Sequence, residues 1–158
     1  MPKRKKLNEN EAFHESLLMV APGTKIREAL TAILQSRMGA LICFGNVARL
    51  SRLSEGGVKL DAEMTPQLIY ELSKMDGAII LNEDGTRIHY ANRFLKPAGH
   101  YPTIETGTRH RAAQRFANHA KCTVLALSQR RSSVTLYCHT RRYALDSVET
   151  LLVKGTQT

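Results

Sequence analysis

The sequence predicts an α/β fold: a single domain in which a mixed central β-sheet is flanked by helices on both faces. Three observations carry that expectation. At 158 residues the chain is about one domain long, enough to bury close to 70% of its unfolded surface without help from disulfides or a metal. Several short apolar runs, ALICFG, AIIL and TVLALS, have the uninterrupted character of strands covered on both sides. Segments with a 3.6-residue apolar period lie between those runs, so helices have to pack on the sheet they connect.

The elements follow in order. Residues 1–9 read as a basic, disordered tail carrying Lys3, Arg4, Lys5 and Lys6. Asn10 to Val20 can form a short helix, stopped by Ala21-Pro22-Gly23. Thr24 caps a clearer helix in which Ile26, Ala29, Leu30, Ile33 and Leu34 share one face. Ala40 to Gly45 is a buried strand, and Asn46 to Asp61, polar and broken by Gly56-Gly57, reads as an irregular connection with a short strand near Val58. Thr65-Pro66 starts a helix whose buried face would be Leu68, Ile69, Leu72 and Met75. Asp76 to Leu81 enters a strand, Asn82-Glu83-Asp84-Gly85 turns it, and Thr86 to Ala91 returns as its hairpin partner. Asn92 to Thr106, with Pro97, Gly99 and Pro102, is a long loop of the sort that is commonly functional. A helix follows with Ala112, Ala113, Phe116 and Ala117 on one side, and Thr106 or Thr108 is its natural N-cap. The chain ends in three strands: Thr123 to Ser128, Val134 to Cys138, and Tyr143 to Leu145. The folded domain is expected to span residues 10–153, with 154–158 as a stub.

Composition bounds the function classes. The chain is 42% hydrophobic and 23% charged, with no stretch long enough to cross a bilayer and no signal peptide, so a cytosolic protein with no membrane partner is the default expectation. Cys43, Cys122 and Cys138 are odd in number and far apart, and they read as reduced core thiols. Phosphate-loop, dinucleotide-fold, zinc-protease, paired-cysteine and serine-hydrolase signatures are all missing, and His14, His89, His100, His119 and His139 show no metal-ligand spacing. The net charge of +9 is concentrated: between Glu105 and Arg142, seven arginines and Lys121 face the single acid Glu105. That excess points to a polyanionic partner, a nucleotide or a nucleic acid.

Three constellations can carry chemistry. Asp76 stands before a strand that reads as buried, where a carboxylate needs hydrogen bonds, a cation or a metal; taken alone, it also reads as the turn that ends the preceding helix. Gly77 beside it permits close approach of backbone to a ligand. In TGTRHR, Thr106 to Arg111, glycine between two hydroxyl residues at a helix start offers N–H groups and hydroxyls to a phosphate, and Arg109 and Arg111 add bidentate bonds. The cations of that first turn oppose the helix dipole unless an anion joins them. A solvated basic turn is the plainer reading, and His110 alone reads as a structural hydrogen bonder as readily as a phosphate donor. Ser128-Gln129-Arg130-Arg131, at the carboxyl end of a buried strand, suits a site edge and an exposed hairpin equally.

Asp76-Gly77-Ala78, followed roughly thirty residues later by Gly107-Thr108-Arg109-His110-Arg111, resembles the paired DGA and GTRHR motifs of the diadenylate cyclase domain family. Similarity continues through TPQLIYELSKMDGAIIL and ALSQRRSSVTLY, covering Leu17 to Val153, and is closest to the DNA-integrity scanning branch. The membrane-anchored branch usually has His before the Asp and Ser-Glu-Glu after the strand, where this chain has Met75 and Ser128-Gln129-Arg130. The resemblance implies condensation of two ATP into cyclic di-AMP with release of two pyrophosphates, assisted by Mg²⁺ or Mn²⁺. It implies Asp76 as metal ligand and base, Thr108, Arg109, His110 and Arg111 as the triphosphate grip, Ser128 on a phosphate, and Gly77, Leu95 and Ala112 among the ATP contacts. It further implies a homo-oligomer built from face-to-face dimers, an octamer in full-length members, with DNA bound only through a C-terminal helix-hairpin-helix domain not expected in this chain. The competing expectation is a non-catalytic basic module that binds nucleotide or nucleic acid.

Overall fold

A computed structural model describes residues 7–145. The Lys3 to Lys6 run, the expected domain end at Val153 and the stub at 154–158 lie outside the described residues. In chain order the elements are α1 (Glu9–Met19), α2 (Lys25–Gln35), β1 (Ala40–Phe44), α3 (Val47–Arg52), β2 (Ser54–Glu55), β3 (Val58–Glu63) and α4 (Pro66–Leu72). There follow β4 (Ala78–Leu81), β5 (Arg87–Leu95), α5 (Thr108–Ala120), β6 (Thr123–Ser128), β7 (Ser133–Cys138) and β8 (Arg141–Ala144). The strands form one mixed sheet in the order β2-β5-β4-β1-β6-β7-β8, with β3 also pairing β5. Among the described residues only the central pair β1–β4 is parallel.

Alternation along the central strands builds two cores. Ile42, Phe44, Ile79, Leu81, Leu125 and Leu127 face one side, where α2 buries Ile26, Ala29, Leu30, Ile33 and Leu34 and α4 buries Ile69. Cys43, Ala78, Ile80, Val124, Ala126 and Tyr137 face the other, against Leu50 of α3 and Ala113, Phe116, Ala117 and Ala120 of α5. Each large apolar side chain enclosed this way contributes about 1.5–3 kcal/mol. The sheet is thus covered on both faces, and the three cysteines are free and buried in these cores. Helix α1 has little apolar face. It packs Ala12, Phe13, Leu17 and Met19, all partly buried, against the first core and buries Ser16, whose hydroxyl lies 2.6 Å from that of Thr123.

Several expectations need correction. The strand expected near Val58 is present as β3, which runs on to Glu63, but the residues before it are not irregular: they hold α3, capped by Asn46 Oδ1 accepting from the Arg49 amide at 3.0 Å, and then β2. A six-residue helix that buries only Leu50 has no apolar period to read, and β3, at the sheet edge, has no fully buried face. Helix α4 ends at Leu72, so Met75 is exposed rather than part of its buried face. Strand β5 runs on to Leu95, which confines the loop to residues 96–107, and β8 begins at Arg141 rather than Tyr143.

Candidate functional site

Strand register gathers the candidate residues at one edge of the sheet. Leu41 pairs with Ala78 across the parallel β1–β4 pair, so Gly39 and Asp76, each two residues earlier, stand side by side before their strands. Ala40 pairs with Leu127 of antiparallel β6, placing Ser128 at the same edge. Ala78 pairs with Arg93 of β5, so Leu95, two residues on, ends there too. Helix α5 begins at this edge because it returns directly into β6. The return uses Lys121 as a left-handed cap, with the Cys122 amide donating to the Ala117 carbonyl. The edge therefore combines the amino ends of β1, β4 and α5 with the carboxyl ends of β5 and β6.

Asp76 is exposed, contrary to the expectation of a buried carboxylate: the strand it precedes begins two residues later, and only from Ala78 is the chain enclosed. Its backbone carbonyl accepts a hydrogen bond from Asn92 Nδ2 at 2.6 Å. Gly77 adopts φ +90°, and a Cβ there would stand 2.8 Å from the Asn92 carbonyl carbon and 2.9 Å from the Arg93 nitrogen, so only glycine fits.

The start of α5 also departs from expectation. Neither Thr106 nor Thr108 caps it; Gly107 is the N-cap, and no side-chain hydrogen bond caps the first turn. A glycine cap leaves the first-turn N–H groups to an outside partner, the arrangement that binds anions at helix starts. Arg109 turns away from that turn. Its guanidinium lies over Gly39, where a Cβ would come within 2.6 Å of the guanidinium carbon, and its Nη1 donates to the Leu127 carbonyl at 3.4 Å. The cation thus rests against a strand-end carbonyl instead of the positive pole of the helix. Thr108, Arg109 and Arg111 are exposed, and Ala112 is half-buried behind them. Ser128 is buried and its Oγ accepts from the Arg131 amide at 3.2 Å, which leaves the hydroxyl proton free to donate.

The loop before α5 is held along the helix. Gln114 Oε1 accepts from Thr103 Oγ1 at 2.6 Å and from the Ile104 amide at 2.9 Å. Arg115 Nε donates to the Tyr101 carbonyl at 3.0 Å, and the Tyr101 ring stacks on His119 with centroids 4.9 Å apart. Its last acid, Glu105, accepts from Arg142 Nε of β8 at 2.5 Å. Burial pushes the Glu105 carboxyl up, but the Arg142 hydrogen bond and charge outweigh it and hold the group below the usual carboxylate range. The buried Tyr137 hydroxyl has no hydrogen-bond partner in good geometry yet lies close enough to Glu105 for the two to perturb each other. Its own burial, followed by that carboxylate, pushes it up and keeps it protonated.

His110 is half-buried, and that burial, followed by the charges of Arg109, Arg131 and Arg142, lowers its pKa; Glu105 is the one group pulling it up. The unfolded chain therefore binds the proton first as pH falls below about 6.5, so the stability contribution is present above that value and lost on acidification. Glu105→Gln should lower the His110 pKa further, read as a downward shift in the midpoint of its imidazole NMR titration. An unchanged midpoint would mean that the carboxylate does not act on His110.

Sequence reading missed Gly39, Asn92 and Gln114. Asn92 carried a misleading signal, a poor strand residue that reads as the start of the loop; Gly39 and Gln114 carried none, because what matters is what packs against them. Clefts elsewhere on the described surface are lined by Gly45, Asn46, Asn82 and Asp84 and, between α2 and α4, by Glu28, Ala32, Pro66 and Tyr70. Neither touches the edge described above.

Residues 27–142 match the DAC family, described as the nucleotide-binding domain of the DisA bacterial checkpoint controller. The chain is 46% identical over 149 residues to the DNA integrity scanning protein DisA of Carboxydothermus hydrogenoformans, covering 94% of this chain and 42% of that protein. It is 45% identical over 151 residues to DisA of Symbiobacterium thermophilum, covering 96% and 43%. It therefore spans under half the length of these curated relatives. Among solved structures, DacA from Staphylococcus aureus superposes with a TM-score of 0.62 at 19% identity, over 94% of this chain and 95% of that one. A hypothetical membrane spanning protein from Bacillus cereus superposes with a TM-score of 0.67 at 23% identity, over 77% and 62%. These two likenesses concern the fold.

Proposed function

The chain belongs to the diadenylate cyclase (DAC) domain family, and on that premise we propose that it condenses two ATP into cyclic di-AMP and two pyrophosphates, with one ATP held by each of two facing protomers. The observation that carries this reading is the convergence of Asp76-Gly77 with the uncapped, arginine-rich start of α5 at one sheet edge. In each half-reaction the 3′-oxygen of one nucleotide bonds to the α-phosphorus of the other as the bond from that phosphorus to the pyrophosphate breaks. The exposed Asp76 carboxylate is placed to take the hydroxyl proton. First-turn N–H groups, the Thr108 hydroxyl, Arg109, His110 and Arg111 hold the triphosphate and stabilise charge growing on the leaving pyrophosphate. Ser128 donates its free hydroxyl proton to a phosphate oxygen, while Gly77, Leu95 and Ala112 border the nucleoside. His110, held towards its neutral form by burial, gains a proton more readily once phosphate charge surrounds it, so nucleotide binding favours proton uptake there.

Among the described residues no group of three His, Cys, Asp or Glu could hold a metal alone. A single carboxylate with substrate phosphates and water is nevertheless the usual donor set for Mg²⁺, and Asp76 fits that role for Mg²⁺ or Mn²⁺. Such an ion, when bound, offsets phosphate charge. The domain boundaries at 10 and 153 and a cytoplasmic location belong to the same proposal; among the described residues no helix is long and apolar enough to cross a membrane.

The test is to incubate the purified chain with ATP and Mg²⁺ or Mn²⁺ and seek cyclic di-AMP by mass spectrometry. Product is expected, with activity per chain falling on dilution because the site needs a pair. No product at high protein concentration would overturn the reading. ATP-independent, salt-sensitive DNA binding in its place would favour the basic-module alternative.

A further inference from the structure

Asp76 presents its carboxylate to solvent, and among the described residues no hydrogen bond or ion pair holds that carboxylate. The backbone beneath it therefore sets the Cα–Cβ direction and with it the region the carboxylate can reach. That backbone is moulded on β5. Between the paired positions Ala78↔Arg93 and Ile80↔Tyr90, β5 spends one residue more than β4, a β-bulge. The bulge contains Asn92 in the left-handed region at φ 54°, and its side-chain amide donates to the Asp76 carbonyl at 2.6 Å. Gly77, also at positive φ, packs its α-carbon against the Asn92–Arg93 peptide. Two positive-φ residues, Asn92 within β5 and Gly77 just before β4, thus meet at a single peptide, directly behind the candidate base. The β5 side of this contact is rigid. Arg93 donates to Ser54 Oγ, the Gly56 carbonyl and the Ser51 carbonyl at 2.8–2.9 Å and lies over the Tyr90 ring.

We propose that Asn92 is a positioning residue for the reaction: its left-handed backbone and amide donor together fix the Asp76–Gly77 peptide and so aim the Asp76 carboxylate. Asn suits the task because it tolerates φ above zero better than other side chains while still offering a donor. This inference rests on the cyclase reading above.

Two variants separate the contributions in the full chain. Asn92→Gly keeps the backbone conformation and removes the donor. Asn92→Asp keeps shape and φ tolerance but turns a carboxylate oxygen towards the Asp76 carbonyl. A carboxylate misaimed by about 1 Å loses on the order of 10²-fold in rate. Both variants should therefore stay folded, bind ATP with KM within about 2-fold and lose about 10- to 100-fold in kcat, Asn92→Asp the more. Amide hydrogen exchange at Gly77 and Ala78 should quicken in Asn92→Gly, a readout independent of turnover. Wild-type kcat in folded Asn92→Gly would overturn the inference, as would a loss confined to KM, or failure of both variants to fold, which would make the position structural only. Wild type and Asp76→Asn run alongside. If wild type makes no cyclic di-AMP, the cyclase reading itself fails; if wild type is active and Asp76→Asn keeps turning over, the role of Asp76 as base fails and the positioning role of Asn92 with it. If wild type is active, Asp76→Asn is dead and Asn92→Gly is unimpaired, only the positioning role fails.

Discussion

Asp76→Asn is expected to reduce cyclic di-AMP formation by about 10³-fold or more while ATP binding changes by no more than a few-fold. The substitution is isosteric and removes both the proton acceptor and the anionic ligand that the proposed reaction requires; positioned general bases contribute about 10² to 10⁴ in rate. Because the side chain is exposed and its backbone carbonyl, not its carboxylate, makes the contact with Asn92, folding should be unaffected within about 0.5 kcal/mol. Initial rates by mass spectrometry and ATP affinity by calorimetry check the two halves separately. If the basic surface served nucleic acid alone, the same variant would bind DNA unchanged or more tightly, since it removes a negative charge.

Gly77→Ala should be the most damaging single methyl at the site. The residue sits at φ +90°, a conformation that costs an L-residue about 1–3 kcal/mol. The added carbon would lie 2.8–3.0 Å from Asn92 and Arg93 main-chain atoms, which belong to the sheet and cannot swing aside as a flexible side chain could. Overpacking of this kind adds about 1–3 kcal/mol, so a total loss of roughly 2–6 kcal/mol is expected, visible as a fall in Cm with unchanged m in denaturant unfolding. Any folded remainder should be inactive, because β4 can relieve the clash only by moving Asp76. A variant as stable as wild type would show that the β4–β5 contact is looser than its geometry implies.

The two classes of residue at this edge differ in how visible they were in the sequence. Asp76 and the Thr108 to Arg111 run stood out because each breaks a local rule, a carboxylate before a strand and cations in the first turn of a helix. The long loop was legible from Pro97, Gly99 and Pro102, though not its lower bound, because Asn92 masks the continuation of β5 to Leu95. Helix α3 escaped notice, and strand β3 was legible only as a short strand near Val58, since neither buries a full face. Thr106 and Thr108 were reasonable caps on propensity, yet Gly107 took the position and left the helix start open.

What the sequence determined by itself was the architecture and the chemistry at hand. Uninterrupted apolar runs specify strands enclosed on two faces, the 3.6-residue period of Ile26 to Leu34 specifies a covering helix, and the charge excess from Glu105 to Arg142 marks a basic segment suited to the proposed anionic substrate. Those properties arise from neighbours along the chain. Only the tertiary structure decided that Asp76 is exposed, that Arg109 lies over Gly39, that Asn92 holds the Asp76 peptide and that Glu105 is tied to Arg142 beside His110. Each depends on strand register and on a helix returning to a particular sheet edge. The contacts Asp76–Asn92, Glu105–Arg142 and Arg109–Gly39 join residues 16, 37 and 70 positions apart, which no local period or propensity encodes.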